Sequence, residues 1–595
     1  MSFRIRQYFR PYQKMKSENN QHIIKMIIKT EIAGFRLLLL FGLFVFFTES
    51  LSGQGRNQEV TIIAPYQPTI SDAVKMSIKP EIKDTVVIAP EMKYTISSQL
   101  IPTTYEIQPL KPIYLQIDPE QTLRRNYLKA GFGNYAMPYA EFFSNSLNSD
   151  KFSLGFHVRH LSSKGDIEDY PISAFSNNRA SIYGKRYLSD KVFSADVYYN
   201  RDVVHYYGIR PDVDTAIFAL PDDDLRQRLS LIGADVTLAS NTKGRGKTNY
   251  LAGFTFYNLS DLFETSETHF GLKANYSSAN KVLNVAGEEE LGVDFDLKIF
   301  ANNDSLQSQA NLLTGLKPYL RLNFDYLDLT IGIEGAVAAD STSSFYVYPA
   351  IKAFFKVIPD YLRVYLAATG GLTRNSFYST TRENPWINPI FPLGFTNTKY
   401  DFKGGVTGKF NPLLDFNFSV SYADVENMLF FINDYYTSYN SNVPYNFANK
   451  FTGIYDDAQV TTISAEIGYE QSEKLNALMT FNYREYSLGT QEHPWHKPAA
   501  EASLMGRYYL SPKLTASAEL FYIGKTYAPI LYSGLEPQTE KIDAYFDLNL
   551  GAEYRFNDKV AAFVQLNNMT ASRYYRWQNY PSQRINVMGG LTFAF

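Results

Sequence analysis

From Asn126 onward, apolar and polar residues alternate with a period of two. Leu414, Phe416, Phe418, Val420 and Tyr422 interleave with Asp415, Asn417, Ser419, Ser421 and Ala423. Leu327, Leu329, Ile331 and Ile333 interleave with Asp328, Thr330, Gly332 and Glu334, and Phe546, Leu548, Leu550, Ala552 and Tyr554 with Asp547, Asn549, Gly551, Glu553 and Arg555. This spacing predicts strands with one wet face and one apolar face. In a soluble sandwich the charges would lie outside and the apolar face would meet a second sheet. In a membrane barrel the faces invert, with lipid outside and a polar lumen inside. Alternation alone fits both.

The turns separate the two cases. One set is short and polar: Ser189 and Asp190, Pro359 and Asp360, Asn411 and Pro412, Ser472 to Lys474, Ser511 and Pro512, Asn557 and Asp558. The other set is mostly longer, near 162–176, 204–224, 373–395, 425–456, 487–497, 526–540 and 570–584. Tight turns at one end and long loops at the other are what an outer-membrane barrel requires. A propeller would show blade repeats, and none is visible. Upward strands start near 126, 151, 191, 247, 291, 327, 361, 414, 474, 514 and 559. Downward strands start near 138, 177, 225, 266, 309, 345, 396, 457, 498, 541 and 585. The predicted fold is therefore all-β: a transmembrane antiparallel barrel of about 22 strands over 125–595, with both ends on the short-turn side. The weakest stretches of this count are 126–146 and 279–302.

The segment before the barrel has a different character. Lys25, Lys29 and Arg36 precede an apolar run at 37–47, followed by Ser50, Ser52 and Gly53. That order predicts a secretory signal within 1–53, with translation starting at Met1, Met15 or Met26. A single membrane anchor or a buried helix is the alternative reading of the run. Residues 54–124 hold eight of the 27 prolines. Such a density forbids helices and central strands. The β-branched runs at 60–63 and 85–88 still favour extension. An extended periplasmic or luminal arm is expected there, docked on something else.

Composition narrows the class further. Aromatic residues make up 15% of the 595 residues, with 46 Tyr and 43 Phe, while charged residues make up 20% and mean hydropathy is -0.25. No apolar run reaches the roughly 18 residues of a membrane helix. A net charge of -3 and a pI near 6.2 give no reason to expect nucleic acid. The absence of cysteine excludes disulfides, thiolate metal sites and a lipoprotein anchor.

The final strand carries the most specific signal. Ile585, Val587, Leu591, Phe593 and Phe595 share one face and end on an aromatic residue. This pattern resembles the signal read by the outer-membrane barrel assembly machinery. VQLNNMTASRYYRWQNYP at 564–581, followed by RINVMGGLTFAF at 584–595, resembles the closing strands of TonB-dependent receptors. The resemblance implies a 22-stranded barrel set in outer-membrane lipid. That family also carries a plug of well over a hundred residues with Gly-rich and Arg-Gly motifs. The roughly 70 residues at 54–124 lack those motifs, so the chain looks like a plugless or plug-reduced relative.

Two arm segments resemble the family's short TonB-contact box: Glu59, Val60, Thr61, Ile62 and Ile63, and Asp84, Thr85, Val86, Val87 and Ile88. Either would act by adding a strand to an exposed sheet edge. The same runs could instead pair with the barrel wall or another periplasmic protein.

Enzymatic signals are weak. The seven histidines include His157 and His160 on opposite faces of one strand, and His205 and His269, read as loop or rim residues. His493, Pro494, Trp495 and His496 form a loop that could touch a metal or an aromatic ligand, although a plain loop fits better. Glu288, Glu289 and Glu290 read as a charge cluster near a turn, because their spacing does not suit calcium. No cofactor is expected and no catalytic set is visible. Tyr435, Tyr436, Tyr439 and Tyr445, and then Tyr574, Tyr575, Trp577 and Tyr580, suit a glycan or peptide ligand, or ordinary loop packing.

A 22-strand lumen is too wide for wall side chains to fill. Something must occlude it, and the arm is the only free material in this reading. The leading expectation is a receptor-type barrel for uptake or capture of a nutrient. The alternative is a non-transporting scaffold whose arm binds a periplasmic partner.

Overall fold

The computed structural model describes residues 124–595 except 147–148, 150, 242–247, 280–282, 284, 286, 341, 436–446, 472–473 and 532–537. The strands in chain order are β1 (Asn126–Gly133), β2 (Met137–Asn145), β3 (Phe152–Ser163), β4 (Phe175–Tyr187), β5 (Lys191–His205), β6 (Arg226–Ser240), β7 (Thr248–Ser260), β8 (Ser266–Ser278) and β9 (Glu288–Asn303). They continue with β10 (Ser308–Asn323), β11 (Leu327–Ala339), β12 (Ser343–Ile358), β13 (Leu362–Arg374), β14 (Phe395–Asn411), β15 (Leu414–Asn433), β16 (Phe451–Gln471), β17 (Leu475–Leu488), β18 (Ala500–Ser511) and β19 (Leu514–Ile523). The last are β20 (Thr526–Ile530), β21 (Gln538–Ile542), β22 (Tyr545–Arg555), β23 (Val560–Asn567), β24 (Tyr575–Trp577), β25 (Tyr580–Pro581) and β26 (Asn586–Ala594). Twenty-two of them form one antiparallel sheet. β20 with β21, and β24 with β25, are small hairpins within loops.

The sheet closes where β1 pairs with β26. Phe595 and Asn126 exchange backbone hydrogen bonds of 2.9 and 3.0 Å at the short-turn end. Close approach at this seam depends on glycine. A Cβ on Gly590 would lie 2.1 Å from the Ala130 carbonyl oxygen and 2.6 Å from the Phe563 ring. Closure leaves no free sheet edge, as a lipid environment requires.

The wall has the inverted polarity expected of a membrane barrel. Ile182, Val197, Ile232, Leu272, Leu316, Ile333, Leu366, Leu504 and Leu591, drawn from strands all round the ring, are exposed on its outer face. The opposite residues of the same strands carry ion pairs, including Lys317–Asp294 at 2.9 Å and Arg484–Glu501 at 2.5 Å. On β15, Phe418, Val420 and Tyr422 are exposed outward, whereas Asn417 accepts a 2.9 Å bond from the Tyr365 hydroxyl on the other face. Phe416 is buried on its face because the Phe410 ring lies 4.3 Å away.

Strand number matches the sequence reading, and strand starts agree within three residues, β1, β2 and β9 included, except that β16 begins at Phe451 and β22 at Tyr545 instead of near 457 and 541. Two further details differ. The connection at 425–456 is shorter than read, since β15 runs on to Asn433 and β16 begins at Phe451, giving strands of 20 and 21 residues. A bulge between Val425 and Met428 shifts the alternation there and hides the continuation. The long-loop end also contains short connections, as at 134–136 and 304–307.

On β26, Val587, Leu591, Phe593 and Phe595 are all exposed on the outer face. Replacing Phe595 with Ser is expected to lower the folded, heat-modifiable form in outer membranes, as read on unheated gels. Unchanged levels would remove this residue from the assembly signal.

Candidate functional site: the loop cap and the cavities beneath it

The main hydrophobic cluster joins the long loops to the loop-side ends of wall strands β6, β7, β15 and β16. Tyr207 from the β5–β6 loop, Trp386 from the β13–β14 loop and Tyr580 from the β23–β26 connection meet in one aromatic cluster. Their ring centroids are 5.9 Å apart for Tyr207–Trp386, 4.8 Å for Tyr207–Tyr580 and 4.2 Å for Trp386–Tyr580. The three loops leave the ring far from one another, so their meeting point lies across the mouth. Phe431 and Phe451, at the tips of β15 and β16, pack on Trp577 at 5.3 and 5.4 Å. Offset and edge contacts of this kind add to the area each ring buries.

Hydrogen bonds fix the same convergence. Trp386 Nε1 donates to the His205 carbonyl at 3.0 Å, and the Tyr206 and Tyr207 hydroxyls donate to the Ile387 and Pro581 carbonyls at 3.1 and 3.0 Å. Asn449 Nδ2 donates to the Tyr206 carbonyl at 2.7 Å, and the Tyr580 hydroxyl donates to the Asn449 carbonyl. Ile387 and Phe451 form a parallel backbone bridge. Buried loop backbone must find such partners, because water does not reach it.

One wall carboxylate anchors the β13–β14 loop. Glu267 on β8 is fully buried and accepts four bonds. Two come from Tyr257 Oη at 2.8 Å and Asn302 Nδ2 at 2.7 Å on the wall. Two come from the backbone N–H groups of Phe377 and Tyr378 at 2.7 and 3.1 Å. Those amides open helix α1 (Phe377–Glu383), which Ser376 also caps through a capping box. A negative charge at a helix N-terminus satisfies unpaired N–H groups and complements the helix dipole.

Two further titratable groups sit within the cap, Lys450 half-buried and His496 buried. Lys450 stands 4.9 Å over the Tyr206 ring, with Asp434 and Asp261 supplying opposite charge. Burial pushes its pKa down to about 8 despite those carboxylates. His496 donates from Nδ1 to the Phe431 carbonyl at 2.9 Å, while its Nε2 accepts from the Gln578 backbone N–H at 3.2 Å. This arrangement fits the neutral ring, and burial lowers its pKa to about 4.

Two cavities lie between the cap and the wall. The first, about 620 Å³, sits at the seam against Tyr139, Arg159, Tyr207, Trp386 and Tyr574. The second, about 540 Å³, is bounded by Tyr486, Arg484, Tyr545, Tyr575 and Trp577. Concave, aromatic-rich spaces of this size suit small organic ligands.

The histidines do not form a common site. His157 contacts Glu141 at 3.1 Å and stacks on Phe143, while His160 on the opposite face contacts Asn178 at 2.7 Å. His205 ends β5 at the rim. His269, expected in a loop or at the rim, lies within β8, stacked 4.4 Å from Phe300. His493 stacks on Tyr527 at 4.1 Å, away from the buried His496. Among the described residues, no group of three or more His, Cys, Asp or Glu could hold a metal. Glu288, Glu289 and Glu290 open β9, where Glu289 accepts from the Leu283 and Val285 backbone N–H groups and Glu290 pairs with Arg321 at 2.9 Å.

Trp577 and Tyr580 pack loop on loop, and Trp577 also lines the second cavity with Tyr575, while Tyr574 lines the first. Tyr436, Tyr439 and Tyr445 lie outside the described residues, as do both arm segments, 59–63 and 84–88. The arm at 54–123, expected to be the free material for occluding the lumen, lies outside the described residues. The outer mouth is bridged by the barrel's own loops, whose aromatic residues gave no sequence signal separating a cap from a lipid girdle or a ligand site.

A closed ring of 22 antiparallel strands, apolar outside and charged within, is the architecture of an outer-membrane barrel. Solved structures of outer-membrane receptors and of an iron transporter share this fold. The pyoverdine receptor FpvA from Pseudomonas aeruginosa PAO1, bound to pyoverdine, superposes with a TM-score of 0.58 at 14% identity, covering 79% of this chain and 78% of that one. The FrpB iron transporter from Neisseria meningitidis (F3-3 variant) gives 0.59 at 10% identity, covering 79% and 81%. The ferric-catecholate import receptor Fiu from E. coli K12 gives 0.57 at 10% identity, covering 80% and 82%. No protein-family model and no curated protein matches the sequence.

Proposed function

We propose that this chain is an outer-membrane receptor of TonB-dependent type that captures a small nutrient and passes it inward. The observation that carries the reading is the pair of aromatic-lined cavities beneath a loop cap, inside a barrel of receptor size and strand number. The similar barrels named above are a pyoverdine receptor, an iron transporter and a ferric-catecholate import receptor, which supports a small-molecule cargo.

In this reading the arm supplies the energised contact. Glu59, Val60, Thr61, Ile62 and Ile63, or Asp84, Thr85, Val86, Val87 and Ile88, would add a strand to TonB. Barrel insertion would use the assembly machinery through Val587, Leu591, Phe593 and Phe595. Proline at Val60 and Val86 together removes two backbone donors. That double variant is expected to lose TonB-dependent accumulation of the cargo while barrel levels stay normal. Accumulation unchanged by the prolines would end the TonB-contact assignment.

A scaffold role is favoured by one observation: the cap is tied across the mouth by buried contacts, which suits a barrel that passes nothing. Deleting 54–124 distinguishes the readings. A receptor loses uptake, whereas a scaffold releases a stoichiometric periplasmic partner.

A further inference from the structure

We propose that the outer wall of β5 and β6, at the loop-side edge of the membrane, is a binding site for the phosphate headgroup of a membrane lipid. The inference goes beyond the receptor reading and does not depend on it, because the site faces away from the lumen.

The register places three arginines on that face. On β5, Phe193, Val197 and Tyr199 are exposed outward, and Arg201 follows in the same period-two row. On β6, Ile232 is exposed outward, and Ser230, Arg228 and Arg226 continue its row toward the loops. Arg201 lies opposite Ser230 and Arg228 opposite Val203, so the two arginines stand on adjacent rungs of the same face. On its other side Arg201 lies opposite Asn178, which in turn lies opposite His160. His160 contacts Asn178 at 2.7 Å and Ser162 at 3.1 Å. A polar, cationic shelf therefore sits directly above apolar wall residues.

Its height fits an interface. Arg201 stands eight positions beyond Phe193, about 26 Å along a strand at roughly 3.3 Å per residue. A tilt of about 40° turns that into roughly 20 Å of height, close to the upper edge of an apolar band about 25 Å tall. Arginine is costly at the midplane and cheap at the edge, where its stem lies on hydrocarbon and its head meets water or a headgroup.

Two of these cations have no acid of their own. Arg226 pairs with Asp223 at 2.8 Å. Among the described residues, neither Arg201 nor Arg228 takes part in an ion pair or a cation–ring contact. The neighbouring acids lie on other faces or higher in the loops. Asp202 accepts from Asn177 on the luminal face at 2.8 Å, Asp222 and Asp224 belong to the turn before β6, and Glu264 to the β7–β8 turn. The rest of the wall is built differently. The outward rows of β10, β11 and β12 carry no charge, and Lys399 near the loop-side end of β14 is neutralised by Glu426 at 2.9 Å. Two neighbouring guanidiniums match the oxygens of one phosphate group. Val197, Tyr199 and Ile232 below them offer the surface that acyl chains need, which a free anion would not use.

The full-length protein, immobilised in detergent, would be equilibrated with monophosphoryl lipid A or with the same lipid lacking its phosphate, and the retained lipid quantified by mass spectrometry. The phosphorylated lipid is expected to bind about tenfold more tightly. Arg201→Gln and Arg228→Gln should each remove most of that preference and leave the phosphate-free lipid bound as before. The double variant Arg201→Lys/Arg228→Lys keeps the charge and should keep the phosphorylated lipid ahead, which separates loss of charge from loss of fold. Arg186→Gln, on the same outer face at the short-turn end, should change neither lipid. Inorganic phosphate in millimolar excess should not displace the lipid, and displacement would replace the lipid assignment with a plain phosphate site. Equal binding of the two lipids, or a preference surviving the Arg201→Gln/Arg228→Gln double variant, would overturn the site.

Discussion

Tyr580→Ala is expected to open the outer mouth while the barrel stays folded. Its ring touches Tyr207, Trp386 and Phe451, which come from three different loops or strand tips, and its hydroxyl holds the Asn449 carbonyl. Removing a fully buried aromatic side chain costs about 3–5 kcal/mol. Loop segments open locally for less than the global free energy, so the loss falls on the cap and spares the closed wall. Trypsin should then cut after Arg382 and Arg576 in the purified variant, at sites resistant in the parent. Glu267→Ala should act the same way on α1, since it leaves the Phe377 and Tyr378 amides without their acceptor. Acid should weaken the cap too. His496 titrates near 4 when docked, against an ordinary value of 6.5 when released. Above pH 6.5 both forms are neutral and the docked cap keeps its full stability. As pH falls from 6.5 toward 4, the released ring binds a proton that the docked ring refuses, and cap stability declines. Cleavage of Tyr580→Ala no faster than the parent, at neutral pH and at pH 5, would show that the loops are held by something other than this cluster.

The wall was legible because each strand repeats one simple rule. Period-two alternation marks β11, β15 and β22, and paired turn residues such as Pro359 with Asp360 and Asn557 with Asp558 mark one end. The rule fails where the chain stops obeying it. Past the Val425–Met428 bulge, Phe430, Phe431 and Ile432 are consecutively buried because both faces meet protein above the membrane. A run of that kind carries no period, so the upper parts of β15 and β16 resemble a loop in the sequence. The cap was illegible for a related reason. Tyr207, Trp386 and Tyr580 are separated by 179 and 194 positions. Nothing local in their neighbourhoods says that a closed ring will bring them together. The seam cations are equally silent: Lys129 on β1 and Arg159 on β3 read like any other luminal charge, and Arg584 lies just before β26. Only the register of β1 against β26 and β2 against β3 places them round one cavity.

Phe418→Arg against Asn417→Arg tests the polarity of the wall directly. The two residues are adjacent on β15 and point to opposite faces, so strand propensity and depth are nearly the same for both. Phe418 lies on the outer face between the exposed Phe410, near the short turn, and the exposed Tyr422. Its partners across the sheet are Val406 and Ala465, neither of which can receive a charge. An arginine there must keep its guanidinium in hydrocarbon or draw water inward, at a cost of roughly 2–4 kcal/mol near the midplane. At Asn417 the same side chain enters a wet, charged lumen. It forfeits the 2.9 Å bond from Tyr365, a loss of about 1 kcal/mol. Folding titrations into lipid vesicles should therefore place Phe418→Arg well below Asn417→Arg in stability. Equal cost at both sites would mean that no hydrocarbon meets the face bearing Phe418, Val420 and Tyr422, and the membrane-spanning assignment of β15 would fall with it.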